Sequence, residues 1–426
     1  MDSAALLAHF DVSVLRNRLY DLRDNGGARQ LNPTANDSGT HINVVLQGGG
    51  TLGIAHVGVI YALELLKVRI AGVAGTSAGA IAALLICAAR SGKPGQPYSL
   101  DILEVLSSMP ADEFIDGPYL IRRMIKELLL NRAIDVPELA IPANSAVRRL
   151  SRKGGLNHGT QLLEWLQTTL AKRFGVITIN DLLRRLDAAV DGAHEACSES
   201  TGGLPKPDPI NCLQMIATGL RHGLKAVFPR AWDLFDLDAG KTSPAIFARA
   251  SMSIPIFFEQ FRLRTRADRW KQHVEFDLEN MYDENDIEEL AGLDELRFVD
   301  GGVLSNFPID AFRAPDGRVE NWLQALPTIG FSMFSSSKKI RDEGTFEPTG
   351  IKSIVELGVE LFSATRALRD REARLLCKLP SGIAFIDTHE HNWLNFMLDE
   401  PSTRDLFIRG MRCVAELVEQ RMRTEA

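Results

Sequence analysis

The sequence has no apolar run long enough to cross a membrane, and its cysteines form no recognisable pattern. A membrane-spanning helix needs about 20 apolar residues, whereas the longest candidate, residues 78–89, has the length of a buried helix. The five cysteines are scattered and none has C-x-x-C spacing, which argues against a disulfide framework or a zinc site. The first residues also lack a basic segment followed by an apolar one, the pattern of a signal peptide. We therefore expect a cytoplasmic protein, in contact with membranes at most peripherally.

An excess of positive charge is absent as well. The formal net charge is -7 and the isoelectric point is near 5.8, so no general attraction to nucleic acid is expected. No cluster of His, Cys, Asp or Glu has the spacing of metal ligands, and neither a metal nor a cofactor is predicted. With 45% hydrophobic and 24% charged residues in 426, the composition is that of an ordinary globular protein. The oligomeric state is left open.

Two strand–turn–helix units follow each other within fifty residues. A strand at 42–47 leads through a glycine-rich loop into a helix near 54–66, and a strand at 69–76 leads into a helix from Ala78. This alternation predicts a parallel α/β sheet. Further strands are predicted at 211–217, 256–262, 295–299 and 328–333, with a long helix over 405–422.

Composition divides the chain into three parts. Residues 1–40 combine helically spaced apolar residues with a linker rich in Gly, Asn and Pro, and are predicted to be a helical arm. Residues 41–335 contain the strand–turn–helix units and are predicted to form the main domain, with an acidic insertion over about 275–295 that contains no Lys or Arg. Residues 336–426 are predicted to be a mostly helical part that packs on this domain.

A serine stands where the second strand turns into its helix. Gly75, Ser77 and Gly79 make a G-x-S-x-G motif. At a sharp strand–helix turn such a serine is held in a strained backbone conformation that projects its hydroxyl outward. The helix N-terminus adds a positive dipole beside it. The alternative is a serine that only caps the helix.

An aspartate far downstream is the candidate base for this serine. Asp300 ends an apolar strand, and Gly301 and Gly302 then let the chain turn sharply. A serine nucleophile needs a base within hydrogen-bonding reach. The alternative is an ordinary Asp-Gly turn in which the carboxylate bonds its own backbone.

The glycine loop at 48–53, GGGTLG, matches the dinucleotide-binding pattern G-x-G-x-x-G. That pattern requires an acidic residue about 20 positions further on to hold the ribose. Residues 73–75 occupy this place, contain no acid and lead into the serine motif. The same glycines can instead direct backbone N–H groups at a reacting carbonyl.

Glycine loop, serine motif and D-G-G-x-x-x-N-x-P occur in one order, and residues 250–258 add A-S-x-x-x-P-x-x-F. In this ordered set the chain, over roughly 42–420, resembles the patatin-like phospholipase family, in particular its bacterial-type members. The resemblance implies a three-layer α/β fold with a mostly parallel central sheet flanked by helices. It also implies a phospholipase A or lysophospholipase type of activity on lipid or lysolipid esters, with peripheral membrane contact. Ser77 corresponds to the nucleophile and Asp300 to the general base of a dyad without histidine. The oxyanion hole corresponds to Gly48, Gly49, Gly50 and Thr51, and the other motif glycines are Gly53, Gly75, Gly79, Gly301 and Gly302.

One loop residue departs from the family pattern. Many members have Arg or Lys at the position of Leu52, whereas animal triacylglycerol lipases of the family resemble this chain in having Leu. The departure questions a preference for anionic head groups and leaves a backbone-made oxyanion hole intact.

Two other functions stay open. An α/β-hydrolase with a Ser–Asp–His triad fits the chain order if His389 or His391 is the base. That fold needs several strands before its nucleophile, however, and here one strand precedes the serine strand. The second alternative is a non-catalytic binding module on the same fold.

A basic amphipathic pattern over 118–153 is compatible with a helix lying on anionic lipid. A helix packed on the core with solvated charges is the competing interpretation of this pattern.

Overall fold

The computed structural model describes residues 3–35, 39–90, 98–110, 112–119, 122, 150, 152–221, 223–270, 284–314, 317–334, 361–362, 364–369, 371, 382–391 and 398–425. The predicted basic amphipathic stretch at 118–153 lies mostly outside these residues. Of the predicted acidic insertion, only its second half is described.

Helices and strands alternate along the first half of the described chain. The helices are α1 (Ser3–Leu7), α2 (Phe10–Asp24), α3 (Ile54–Leu65), α4 (Ala78–Ala89), α5 (Tyr98–Ser107), α6 (Thr160–Phe174), α7 (Ile179–Ser200), α8 (Ala245–Ser251), α9 (Glu284–Ala291), α10 (Trp322–Ala325) and α11 (Glu400–Glu425). The strands are β1 (Thr40–Leu46), β2 (Val68–Thr76), β3 (Gly155–Asn157), β4 (Leu213–Gly219), β5 (Leu224–Phe228), β6 (Ile256–Phe258), β7 (Phe261–Arg264), β8 (Glu295–Asp300), β9 (Thr328–Phe334) and β10 (Ile383–Asp387).

The central sheet is parallel in its middle and antiparallel at one side. Its order is β10-β9-β1-β2-β4-β8-β7, and β5 also pairs with β4. The pairs from β10 to β4 are parallel, whereas β5 and β8 both run antiparallel to β4. Strands β3 and β6 form a separate small sheet.

Side chains on the two faces of this sheet belong to two hydrophobic clusters. Val44 and Val73 face the larger cluster, which α3, α4 and α11 cover, and Val45 and Ala74 face a smaller one around Trp322. Alternation between faces is the normal pattern of a strand buried on both sides. The predicted fold class, α/β with a mostly parallel central sheet flanked by helices, is confirmed.

The predicted terminal parts both join this core. In α2, Leu15 and Leu19 are buried in the larger cluster, and Arg18 forms a two-bond ion pair with Glu419 of α11. Strand β10, from the part predicted to be mostly helical, is the edge strand of the central sheet. The division into three parts stays a prediction. Among the described residues, no helix has both the length and the hydropathy required to cross a bilayer.

Candidate active site

The serine and aspartate motifs meet end to end along one edge of β4. Strand β5 occupies one edge of β4 opposite residues 215–219, so β2 and β8 both pair with the other edge. There Thr76, the last residue of β2, pairs with Ile216, and Asp300, the last residue of β8, pairs with Ala217. Because β2 and β8 run toward each other, the residue after β2 lies next to the residue that ends β8. The topology therefore brings Ser77 and Asp300 together.

Ser77 has the strained backbone that its motif predicts. Its φ is 56° and its ψ is -120°, a conformation that non-glycine residues rarely adopt. A Cβ on Gly75 would lie 2.4 Å from the backbone of Gly79, and one on Gly79 would lie 2.2 Å from Leu46 O. The two glycines thus let the turn fold back tightly against β1. The Ser77 amide donates to Ser251 Oγ at 2.9 Å, which ties the turn to α8.

The Asp300 carboxylate is buried and only partly hydrogen-bonded. Its Oδ1 accepts from Gly302 N at 2.7 Å, whereas Oδ2 accepts no hydrogen bond from the described residues. Burial raises the pKa of Asp300 to about 6, against the opposing effects of the Ser77 hydroxyl, the Gly302 amide and the positive charge of Arg366. A carboxylate in this environment is a stronger base than one in water and is still mostly ionised at neutral pH.

The Ser77 hydroxyl is near this carboxylate but is turned toward a sulfur atom. It is close enough to lower the pKa of Asp300, yet it donates its hydrogen bond to Met252 Sδ at 2.9 Å. A change of the Ser77 rotamer would therefore be needed to form a Ser77–Asp300 hydrogen bond.

The glycine loop presents free backbone N–H groups beside Ser77. Gly48 is not one of them, because its amide donates to Asn306 O at 2.9 Å. No described residue accepts a hydrogen bond from the N–H of Gly49 or Gly50. Gly50 has a φ of +55°, which favours glycine at this position. The loop is anchored to β9 through Gln47, whose side-chain oxygen accepts from Met333 N at 2.5 Å.

A small apolar cavity lies next to the serine turn. Its volume is about 40 Å³, and it starts beside Ala78, Thr51 and Met252. It is further lined by apolar side chains from helices α3, α4, α5 and α6, from strand β6 and from the segment after α5, which are Ile54, Ile81, Leu106, Met109, Phe114, Leu162 and Phe258. Its volume and apolar lining suit a short hydrocarbon segment next to a carbonyl group at Ser77.

Comparison with known proteins identifies the family. A sequence model of the family described as patatin-like phospholipase matches residues 44–313, more than half of the chain. The chain belongs to the patatin-like phospholipase family. Family membership supports lipid acyl hydrolase activity and lipid substrates in general, without identifying a particular lipid.

Two individual proteins are similar to this family member. The uncharacterized protein YqhO of Bacillus subtilis (strain 168) is 28% identical over 272 residues, which cover 64% of this chain and 67% of YqhO. The crystal structure of VipD from Legionella pneumophila aligns with a TM-score of 0.38 at 16% identity, covering 91% of this chain and 68% of that one.

At the remaining motif glycines of the patatin-like chain, neighbouring atoms leave no room for a side chain. A Cβ on Gly53 would lie 3.0 Å from Ala78 Cβ, one on Gly301 would lie 2.1 Å from Ile216 O, and one on Gly302 would lie 2.9 Å from Asp300 Oδ1. Because glycine has no Cβ, the glycine loop can approach Ala78 closely and the aspartate turn can pack against β4.

The two histidines of the alternative triad are not placed beside the serine. They follow β10, which lies three strands from β2, roughly 14 Å away at the usual strand spacing. His389 Nδ1 contacts Asp387 Oδ1 at 2.5 Å, and His391 Nε2 contacts Asp405 Oδ2 at 2.7 Å.

Arg249 stabilises the segment Ser251–Ser253, a role that the sequence did not indicate. Its buried guanidinium donates to Ser253 Oγ at 2.7 Å, to Gly159 O at 3.0 Å and to His158 O at 2.8 Å. Ser253 O in turn accepts from Asp300 N at 2.8 Å. The arginine thereby supports the segment on which the aspartate rests. Its signal in the sequence is only a basic residue inside an otherwise small and apolar helix.

Proposed function

We propose that this patatin-like protein hydrolyses the carboxylic ester of a phospholipid or lysophospholipid through a Ser77 acyl-enzyme, with Asp300 as general base. The observation that carries the proposal is the strained Ser77 beside a buried, incompletely bonded Asp300 at the mouth of an apolar cavity. The arrangement supports the serine as nucleophile rather than as a simple helix cap, because no hydrogen bond of its hydroxyl to the helix backbone is present in this turn.

The first step is activation of the serine. The Ser77 hydroxyl turns from Met252 Sδ to Asp300 Oδ2, which accepts its proton as Oγ attacks the ester carbonyl carbon. A carboxylate with a pKa near 6 is matched to this task, because it is ionised at neutral pH and more basic than an exposed aspartate. Burial thus supplies part of what a histidine supplies in a triad.

The second requirement is stabilisation of the oxyanion. We assign this role to the N–H groups of Gly49 and Gly50, since the amide of Gly48 is already bonded to Asn306. Each such donor contributes about 3 kcal/mol in comparable sites. When the tetrahedral intermediate collapses, the proton on Asp300 passes to the leaving alcohol. Asp300 then takes a proton from the water that attacks the acyl-enzyme and returns it to Ser77 Oγ as the second intermediate collapses, which releases the fatty acid and restores both groups.

The cavity supports an acyl chain as the group attached to the carbonyl. Its lining is apolar, and it begins at residues that contact Ser77. Burial of a hydrocarbon chain there contributes roughly 0.8 kcal/mol per methylene group. Because such substrates reside in membranes or micelles, peripheral contact with a lipid surface is part of the proposal.

Hydrolysis of phospholipid and lysophospholipid vesicles tests this function, with the Ser77→Ala and Asp300→Asn variants assayed beside the parent. We expect both variants to lose activity by at least about 10³-fold. A fluorophosphonate probe should label the parent at Ser77 and leave Ser77→Ala unlabelled. Vesicle binding without Ser77-dependent hydrolysis or labelling would refute the proposal in favour of a binding module.

A further inference from the structure

Arg366 reaches the glycine loop from a part of the chain beyond the matched residues 44–313. It lies in a described helical stretch, residues 364–369, and its Nη2 donates to Gly48 O at 2.6 Å. Its guanidinium also lies over the Phe362 ring, 5.6 Å from the ring centre. The loop itself, GGGTLG, contains no cationic residue, and Leu52 is buried in the core.

The bond to Gly48 O orients the neighbouring amide. In a trans peptide the C=O and the following N–H point in opposite directions. Gly48 O accepts from Arg366 Nη2 and, at 3.2 Å, from Asn306 Nδ2. With that carbonyl held toward these two donors, the N–H of Gly49 is directed the opposite way. A charged donor on the carbonyl also polarises the peptide and strengthens its N–H as a donor.

The same side chain passes the aspartate turn. A Cβ placed on Gly302 would lie 3.4 Å from Arg366 Cδ, so the side chain packs beside the residue that holds Asp300 Oδ1. The positive charge of Arg366 lowers the pKa of Asp300, against the larger effect of burial. One guanidinium therefore acts on both halves of the site, the amide donor and the base.

We propose that Arg366 is a positioning residue that fixes the Gly48–Gly49 peptide for oxyanion binding and places a positive charge beside the Asp300 turn. The proposal rests on the proposed function. It places a determinant of catalysis outside the three sequence motifs, in a segment that reaches them only in the folded protein.

Kinetics on a soluble ester separate this role from a merely structural one. Arg366→Gln should lower kcat by about 10- to 100-fold, the range for loss of a charged hydrogen bond, while KM changes little. The acidic limb of its kcat/KM profile should move to higher pH, because the opposite charge beside Asp300 is gone. In Arg366→Lys the acidic limb should lie close to that of the parent, because the positive charge is kept. Its kcat should recover only in part, because an ammonium does not reproduce the guanidinium geometry. The exposed Arg371, five positions further on, supplies the matched control Arg371→Gln, which should behave as the parent.

Direct titration of Asp300 gives a readout that does not depend on hydrolysis. In protein labelled with ¹³C at aspartate carboxyls, the resonance lost in Asp300→Asn is assigned to Asp300 and followed against pH. Its pKa should be higher in Arg366→Gln than in the parent and in Arg371→Gln. If this pKa shift is observed without Ser77-dependent hydrolysis, the interaction of Arg366 with Asp300 is supported and only the proposed function is refuted. Ser77-dependent hydrolysis with an unchanged Asp300 titration and unchanged kcat in Arg366→Gln would overturn the role of Arg366.

Discussion

Replacing Asp300 with asparagine should remove activity and stabilise the fold. Burial raises the pKa of this carboxyl to about 6, from an ordinary value near 4 in the unfolded chain. Between these values the folded protein binds a proton that the unfolded chain has already lost. The charged carboxylate therefore destabilises the fold increasingly as the pH rises through this window. Above pH 6 the cost is about 3 kcal/mol, at 1.36 kcal/mol per pKa unit.

The asparagine side chain fits the same contacts. Its oxygen replaces Oδ1 as acceptor of the Gly302 amide, and its NH₂ group replaces Oδ2, which accepts nothing from the described residues. Thermal unfolding of Asp300→Asn and parent at pH 7.5 should show a gain of about 3 °C for the variant, given the unfolding entropy of a chain of this size. Most of the gain should disappear near pH 4, where the folded carboxyl is protonated and the unfolded one is about half protonated.

Asp294→Asn is the matched control, because this aspartate is exposed. It should melt within about 0.5 kcal/mol of the parent at both pH values. Asp300→Asn melting below the parent at pH 7.5, or a gain that is the same at pH 4, would refute the assignment of a buried, destabilised carboxylate.

The remaining predictions concern the pH dependence of kcat/KM, the backbone strain at Ser77, the preferred acyl chain length and the two histidines. The kcat/KM of the parent should fall to half near pH 6 as Asp300 is protonated; a midpoint near pH 4 would contradict its burial. The free energy of unfolding measured in denaturant should be about 1 kcal/mol higher for Ser77→Gly than for Ser77→Ala, because glycine adopts a φ of 56° without strain. Equal free energies of unfolding would argue against strain. Leu162→Trp should shift hydrolysis of p-nitrophenyl esters toward shorter acyl chains, since it fills the cavity; an unchanged profile would exclude the cavity as the acyl site. His389→Ala and His391→Ala should each retain parental activity within about twofold, because both rings contact other carboxylates; a loss of 10²-fold or more would restore the triad.

The local sequence pattern is sufficient to predict the strands and the helix that carry the serine and aspartate motifs. The serine strand and its helix were predicted within a residue of β2 and α4, and Asp300 was expected at the end of a strand, as β8 has it. Both predictions depend only on neighbours in sequence, namely apolar strands that end in small or turn-forming residues. The juxtaposition of Ser77 and Asp300 was inferred from resemblance, because the meeting of β2 and β8 along β4 is a property of the whole sheet.

Contacts between distant segments could not be predicted in this way. The hydrogen bond from Arg366 to Gly48 joins residues 318 positions apart. The residues around an arginine in a polar helix do not indicate such a contact. Strand β10 was missed because it adds only a short run, IAFID, at the sheet edge. Helix α7 continues to Ser200 through a polar segment with little helical pattern, in which Ala196 and Cys197 are buried.

The order in which these parts emerge during synthesis has a consequence for the cell. A ribosome has delivered Ser77 and Asp300 before it delivers β9, which anchors the glycine loop through Gln47, and before Arg366. On the proposed mechanism, a nascent or truncated chain carries both reacting groups without the contacts that set the oxyanion donors. Lipid hydrolysis would then begin only when the last quarter of the chain has docked, which protects membranes from an unfinished enzyme.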